Sequence, residues 1–167
     1  MKPTGTLKVT TPTEHEIVLT RVFDAPRRLV FDAWTKPELL RRWFGPHGHE
    51  LVVCEVDLRV GGTWRYVVRG PDGTEMHLHG VYLEIVAPER LVRTEANDDC
   101  DAEAGGESMV TTLLVECERR TTVTSTVRYP SQQIRDAVIA SGVEHGVAES
   151  YDRLAELLAA VAWTVAP

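Results

Sequence analysis

The sequence contains no apolar run close to the roughly 18 residues that a membrane-spanning helix requires. Its first 16 residues are polar and include no apolar stretch of the kind found in a signal peptide. These two absences argue against a membrane protein and against a secreted one. We therefore expect a cytoplasmic protein with no membrane partner.

Cysteine and positive charge are also scarce. Cys54, Cys100 and Cys117 are the three cysteines, and no two of them have CxxC spacing, which predicts free thiols in a reducing compartment. Lysine and arginine number 18 against 25 acidic residues, so the net charge is -7 and nucleic acid is not an expected partner. Much of the acidic excess lies in residues 95–107, which predict a solvated loop. An acidic docking or metal surface is the alternative there.

Motifs for metal, phosphate and nucleophile chemistry are incomplete. Histidines occur as HGH at 47–49 and HLH at 77–79, but no cysteine or acidic residue completes a metal-ligand spacing. Gly61-Gly62 precedes a strand rather than a helix N-terminus, so it is not a phosphate cradle. No nucleophile-elbow sequence is present. We predict no metal and no cofactor, and the residues alone assign no catalytic group.

The length of 167 residues fits one domain, in which folding buries roughly 70% of the unfolded chain's surface. We assign residues 1–14 to a flexible tail and residues 15–163 to the domain. A β-branched run predicts a first strand, and two short apolar helices follow it, with Asp24 and Thr35 as their predicted N-caps. The predicted strands are 16–23, 50–59, 63–69, 75–86, 90–96, 108–118 and 121–129.

The C-terminal part of the chain predicts a long amphipathic helix over 143–162, preceded by a short helix capped by Ser131. Apolar side chains recur there at intervals of three and four residues. The chain has no βαβ repeat, so the sheet is predicted to be antiparallel and covered on one face by this helix. The apolar positions of the helix are Val143, Val147, Tyr151, Leu154, Leu158 and Val161.

Several motifs resemble the SRPBCC superfamily, which includes START domains and polyketide cyclases. They are FDAP, VFDAWT, WFGP, RVGGTWRY, PDGTE and GVYLEIVAPERLV, within residues 17–94. The similarity is to the branch named for the activator of heat-shock protein 90 ATPase. It implies an α+β helix-grip fold, in which a curved antiparallel sheet of about six or seven strands surrounds the C-terminal helix. Two short helices would close one end, and an apolar cavity often lies between sheet and helix.

The predicted ligand-binding residues follow from this resemblance and from strand alternation. Trp34 and Trp43 are expected at the cavity mouth, although both are also compatible with an ordinary core. Alternation places Trp64 and Tyr66 inward, and His77 and His79 inward as well if no bulge interrupts their strand. Otherwise the histidines lie at the wet end of the strand. The set is completed by Val143, Val147, Tyr151 and Leu154 from the long helix.

Three functions remain open at this point. The first is a binding module that holds a small apolar or aromatic molecule. The second is a cyclase- or hydrolase-type enzyme that uses the same cavity with one or two proton-transfer groups. The third, implied only by the family branch, is a co-chaperone-like interaction protein, which would need a surface patch rather than a cavity. A homodimer is compatible with the family.

Overall fold

The structure is a computed structural model that describes residues 7–98 and 107–165, with side chains as far as Val161. Cys100 and most of the predicted acidic loop 95–107 lie outside these ranges. The elements are β1 (Lys8–Thr10), β2 (Glu16–Phe23), α1 (Arg27–Thr35), α2 (Pro37–Trp43), β3 (Glu50–Val56), β4 (Thr63–Arg69), β5 (Glu75–Val86), β6 (Arg90–Asn97), β7 (Ser108–Cys117), β8 (Arg120–Arg128), α3 (Gln132–Ala140) and α4 (Val143–Val165).

The eight strands form one antiparallel sheet in the order β1-β2-β8-β7-β6-β5-β4-β3. This confirms the predicted α+β helix-grip class, with one strand more than expected. The additional strand is β1, which pairs with β2 from Lys8↔Thr20 to Thr10↔Val18. The predicted tail over 1–14 is therefore wrong for residues 8–10. Three residues are too few to show an alternating pattern, so only pairing with β2 identifies them as a strand.

The starts of the two short helices differ from the sequence prediction. Neither helix has a side-chain hydrogen bond at its N-cap, and the cap residues are Pro26 and Lys36 rather than Asp24 and Thr35. The first N–H of α1, at Arg27, instead donates to Glu116 Oε1 of β7 at 2.6 Å. A distant strand thus supplies the acceptor. The predicted cap of α3 is confirmed, because Ser131 Oγ accepts from the N–H of Ile134.

Aromatic side chains join α1, α2 and β2 to the C-terminal helix. The rings of Trp34 and Trp43 lie 4.8 Å apart, and Tyr151 lies 5.6 Å from both Trp34 and Phe23. Trp43 Nε1 also donates to the carbonyl of Ala33 at 2.9 Å, so its one polar atom is satisfied. These contacts show why two very short helices carry two tryptophans. Each helix is too short to be stable alone, and the rings bury it against the rest of the domain.

The two halves of α4 are buried to different extents. Its C-terminal half contributes Leu154, Leu157 and Leu158 to the core, each at most 5% exposed. Val143 and Val147 in the first half are only partly buried. The predicted long helix and its apolar face are confirmed, but the helix packs tightly on the interior over only part of its length.

A glycine on β5 allows two strands and an indole to meet. Gly80 is paired with Trp64 of β4, and Trp64 Nε1 donates to the Thr94 carbonyl of β6 at 3.1 Å. A Cβ atom at position 80 would overlap the Thr94 carbonyl oxygen and lie 2.7 Å from Trp64 Nε1. Only glycine leaves this path open.

We expect Gly80→Ala to lower the free energy of unfolding by about 3 kcal/mol, because either the β6 backbone or the Trp64 ring must move. Gly146→Ala in α4 is the matched substitution with the opposite expectation. Its Cβ would lie 3.6 Å from Pro46, an ordinary contact, so stability should rise by up to about 1 kcal/mol. Urea unfolding of both variants measures the difference. Equal effects would contradict the close approach at position 80.

An arginine lies on the inner face of β2, among the apolar residues Ile17, Leu19 and Phe23. Arg21 is 2% exposed, and its Nη1 donates to Asp152 Oδ1 of α4 at 2.6 Å. Its Nε and Nη2 have no hydrogen-bond partner among the described residues. Asp152 is therefore the acceptor that compensates a buried cation, and the pair ties the first long strand to the C-terminal helix.

Asp152→Ala should lower the free energy of unfolding by about 2 kcal/mol, since it leaves the buried guanidinium without its acceptor. Arg21→Met should cost less, because it removes the cation together with its unpaired N–H groups. Glu156→Ala, exposed one turn further along α4, serves as the control and should have little effect. Chemical denaturation measures all three. A larger loss for Arg21→Met than for Asp152→Ala would contradict this account.

Candidate functional site

A cavity of about 450 Å³ lies between the inner face of the sheet and the helices α3 and α4. Trp34 and Trp43 line one end of it, so these two side chains belong both to the core and to the cavity wall. The sheet contributes apolar side chains from the neighbouring strands β2, β8 and β7, including Leu19, Val127 and Val110. The wall is therefore largely apolar where the sheet and the short helices form it.

The helix side of the cavity comes from the less buried half of α4. Val143, Val147, Ser150 and Tyr151 line it, and their spacing of four, three and one places them along one side of the helix. Gly146 lies among them and faces Pro46, which belongs to the rim, the loop between α2 and β3. The cavity thus occupies the space that the first half of α4 leaves above the sheet.

The rim between α2 and β3 is attached to α4 by hydrogen bonds. Ser150 Oγ accepts from the N–H of Gly45 and donates to the carbonyl of Trp43, both at 3.1 Å. Arg153 Nη1 donates to the carbonyl of Gly45 at 2.7 Å. These bonds satisfy backbone groups at the C-terminal end of α2, where helices leave carbonyls unpaired. They also keep the rim residues Gly45 and Pro46 at the cavity wall.

A row of hydroxyl groups forms the polar floor of the cavity and runs from Thr112 of β7 through Ser125 of β8 to Tyr151 of α4. Thr112 Oγ1 and Ser125 Oγ are 3.3 Å apart, and Ser125 lies beside the Tyr151 hydroxyl. Burial raises the pKa of Tyr151 to about 12, although its contact with Ser125 and the positive charges of Arg21 and Arg93 act against the rise. The phenol is therefore neutral at physiological pH and can both donate and accept hydrogen bonds.

The charged groups on the cavity wall come from β6. Arg93 stacks on the Trp64 ring, with Cζ 3.8 Å from the ring centroid, and its Nη1 donates to Tyr66 Oη at 3.1 Å. Burial raises the pKa of Tyr66 well above its usual value, although the Arg93 charge opposes this rise. Glu95 and Asn97 follow on the same face of β6 and also line the cavity. The two aromatic rings thus hold the guanidinium in one position.

The inward placement of His77 and His79 is wrong, because it required a strand without a bulge and β5 contains one. Cross-strand pairing sets Leu78 opposite the inward Tyr66 and His79 opposite the outward Arg65. His77 Nε2 lies 3.5 Å from Glu75, and His79 Nε2 lies 2.6 Å from Asp98, both away from the cavity. The inward positions of β5 are Leu78, Gly80 and Tyr82, and Leu83 is 46% exposed.

The cause of this error is a bulge in β5. The register shifts between Tyr82 and Glu84, so residues after the bulge change face relative to those before it. Ile85 packs against the core, and an uninterrupted period of two counted back from it through Leu83 and Val81 reaches the histidines. A continuous period of two across such a bulge assigns the wrong side chains to the core.

The remaining predicted site residues divide into two groups. Trp34, Trp43, Val143, Val147 and Tyr151 line the cavity together. Trp64, Tyr66 and Leu154 are each at most 1% exposed and lie in the surrounding core. Trp64 and Tyr66 contribute indirectly, because they hold Arg93.

Four further lining residues were not predicted from the sequence: Arg93, Glu95, Thr112 and Ser125. The signal that could have found them is alternation along β6, β7 and β8, where each lies at an even spacing from a buried apolar residue such as Leu91, Leu114 or Val123. In a strand sequence, charged and hydroxyl residues usually indicate the solvent-facing side. Only the position of α4 shows that this face is the inner one.

Other candidate chemistry in the described ranges is limited. No group of three or more His, Cys, Asp or Glu side chains there is arranged to hold a metal ion. Within the same ranges, no helix has the length and apolarity needed to cross a bilayer. Burial raises the pKa of the Cys54 thiol to about 11, so this cysteine is a poor nucleophile at neutral pH.

Known proteins resemble this chain in sequence and in fold. A crystal structure of a Rhodobacter sphaeroides protein is 30% identical with a TM-score of 0.86, covering 93% of this chain and 99% of that one. A solution structure of an Arthrobacter aurescens protein is 26% identical with a TM-score of 0.82, covering 91% of each chain. A Nitrosomonas europaea crystal structure is also 26% identical, with a TM-score of 0.78, and covers 89% and 96%. Among curated proteins there is no match.

The family comparison agrees with the motifs in the sequence. The model of the family described as Activator of Hsp90 ATPase homolog 1-like protein matches residues 24–159, which run from the start of α1 through most of α4. The match therefore includes the rim, the strands of the cavity floor and the helix above them. This chain belongs to the Activator of Hsp90 ATPase homolog 1-like protein family, the SRPBCC-type branch that its motifs resemble.

Proposed function

We propose that this protein is a small-molecule binding domain that holds a largely apolar ligand between its sheet and its C-terminal helix. The observation that carries the proposal is the cavity of about 450 Å³ under the first half of α4. Ligand sites commonly enclose roughly 300–1,000 Å³ and combine apolar walls with a few placed polar groups. The family membership supports a ligand-binding domain in general terms.

The energetic argument for a ligand begins with the apolar wall. Trp34, Val110, Val127 and Val147 present apolar surface to a space that their neighbours do not fill. An apolar molecule that covers this surface gains about 25 cal/mol for each Å² of apolar area that it removes from water. Water molecules bound to the polar floor would not make favourable contacts with this apolar wall, whereas an apolar ligand would.

Binding is better supported than catalysis. The enzyme hypothesis needs one or two proton-transfer groups in the cavity, and neither His77 nor His79 points into it. Glu95 is the remaining carboxylate among the described lining residues, and the phenol of Tyr151 is held neutral. The co-chaperone hypothesis has only the family's description in its favour. The free thiols of Cys54 and Cys117 suit a cytoplasmic location.

The neutral fluorophore N-phenyl-1-naphthylamine tests the cavity directly. We expect its fluorescence to rise on addition of the protein and to saturate at one probe per chain with micromolar affinity. Val110→Phe, which fills part of the cavity from β7, should weaken binding at least about tenfold while thermal stability changes little.

The matched control is Val115→Phe on the outer face of the same strand, where the side chain is 62% exposed. It should leave probe affinity unchanged. An equal loss of affinity in both variants, or no probe binding by the folded wild-type protein, would overturn the proposal. Native mass spectrometry of protein purified from its own host would report any bound small molecule and would show whether the chain forms the homodimer that is compatible with the family.

A further inference from the structure

We propose, on the basis of the proposed binding function, that the cavity selects an uncharged ligand whose apolar body carries one hydroxyl-type head, and that Arg93 and Glu95 recognise this head. Arg93 would donate a hydrogen bond to the oxygen of the head, and Glu95 would accept a hydrogen bond from its O–H group. Carboxylates and amines with the same apolar body would bind more weakly.

The charges on the cavity wall balance each other. Among the described residues that line the cavity, Arg93 is the one cation and Glu95 the one carboxylate. They are two residues apart on β6, which places them on the same face of the strand. An anionic head near Arg93 therefore approaches Glu95 as well, and a cationic head near Glu95 approaches Arg93. Either ion meets a like charge close to its partner.

The position of Arg93 is determined before any ligand enters. Its guanidinium is stacked on Trp64 and bonded to Tyr66 Oη, and the Trp64 indole is itself fixed by its bond to the Thr94 carbonyl. A donor held in this way loses little side-chain entropy on binding. It also cannot swing away from a head group that fits it poorly, which makes the site selective.

The rest of the polar floor suits a neutral head. Thr112, Ser125 and Tyr151 present hydroxyl groups, each of which can donate and accept. A hydroxyl head makes the same two kinds of bond, so it can replace water on this floor without leaving a charge unpaired. An ionised head must lose its hydration, and the floor offers one charged partner together with one that repels it.

The test uses three compounds that share one apolar body: 4-butylbenzyl alcohol, 4-butylbenzoate and 4-butylbenzylamine. At about pH 7 the second is an anion and the third a cation. Each is titrated into the protein with bound N-phenyl-1-naphthylamine, and displacement of the probe gives its affinity. We expect the alcohol to bind at least about tenfold more tightly than either ion.

Two variants test whether Arg93 and Glu95 of β6 produce the selectivity. Glu95→Gln removes the repelling carboxylate and should improve 4-butylbenzoate binding by about tenfold. Arg93→Gln should improve 4-butylbenzylamine binding instead, and its thermal unfolding is followed because Arg93 also packs on Trp64. Glu84→Gln, on the exposed face of β5, is the control and should leave all three affinities unchanged.

The outcomes separate this inference from the proposed function. The inference is supported if the wild-type protein prefers the alcohol and Glu95→Gln shifts this preference toward the benzoate. Tighter binding of the benzoate or the amine by the wild-type protein overturns it, as does an unchanged order in Glu95→Gln. If the probe binds but none of the three compounds displaces it, the inference fails and the proposed binding function stands. If the probe itself does not bind, both fail.

Discussion

The structure depends on how Tyr151 is packed. Its ring meets Trp34 of α1 and Phe23 of β2, and it lies 6.2 Å from the Trp43 ring of α2. This contact fixes α4 at one point along its length. Beyond it, the leucines of the helix enter the core, and before it the helix lies over the cavity. One aromatic residue, Tyr151, thus separates the packed half of α4 from the half that leaves space.

The polar contacts complete the attachment of α4. Arg21 binds Asp152, the residue directly after Tyr151, so the sheet holds the helix at the same turn. Ser150, the residue directly before it, bonds to the rim at Trp43 and Gly45. Three consecutive residues of one helix therefore connect it to the sheet, to the aromatic cluster and to the rim.

Much of the fold could be predicted because its signals are local. The amphipathic period of α4, the β-branched strands and the tight turns each lie within a short window of sequence. The elements that were mispredicted lack such a signal. The strand β1 lies close in sequence to its partner β2, but its three residues are too few to show alternation. The first N–H of α1 is capped by Glu116 of β7, which is far away in sequence.

The candidate site was predictable only in part, for the same physical reason. Patterns within the chain were enough to predict the family, most of the element order, the long helix with Val143, Val147 and Tyr151 on one side, and Trp34 and Trp43 at one end of the cavity. The inner face of each strand became clear only from the packed fold. The bulge in β5 turned His77 and His79 outward, and the placement of α4 put Arg93 and Glu95 on a cavity wall. Strand register and helix position are long-range properties, so charge and alternation within one segment cannot specify them.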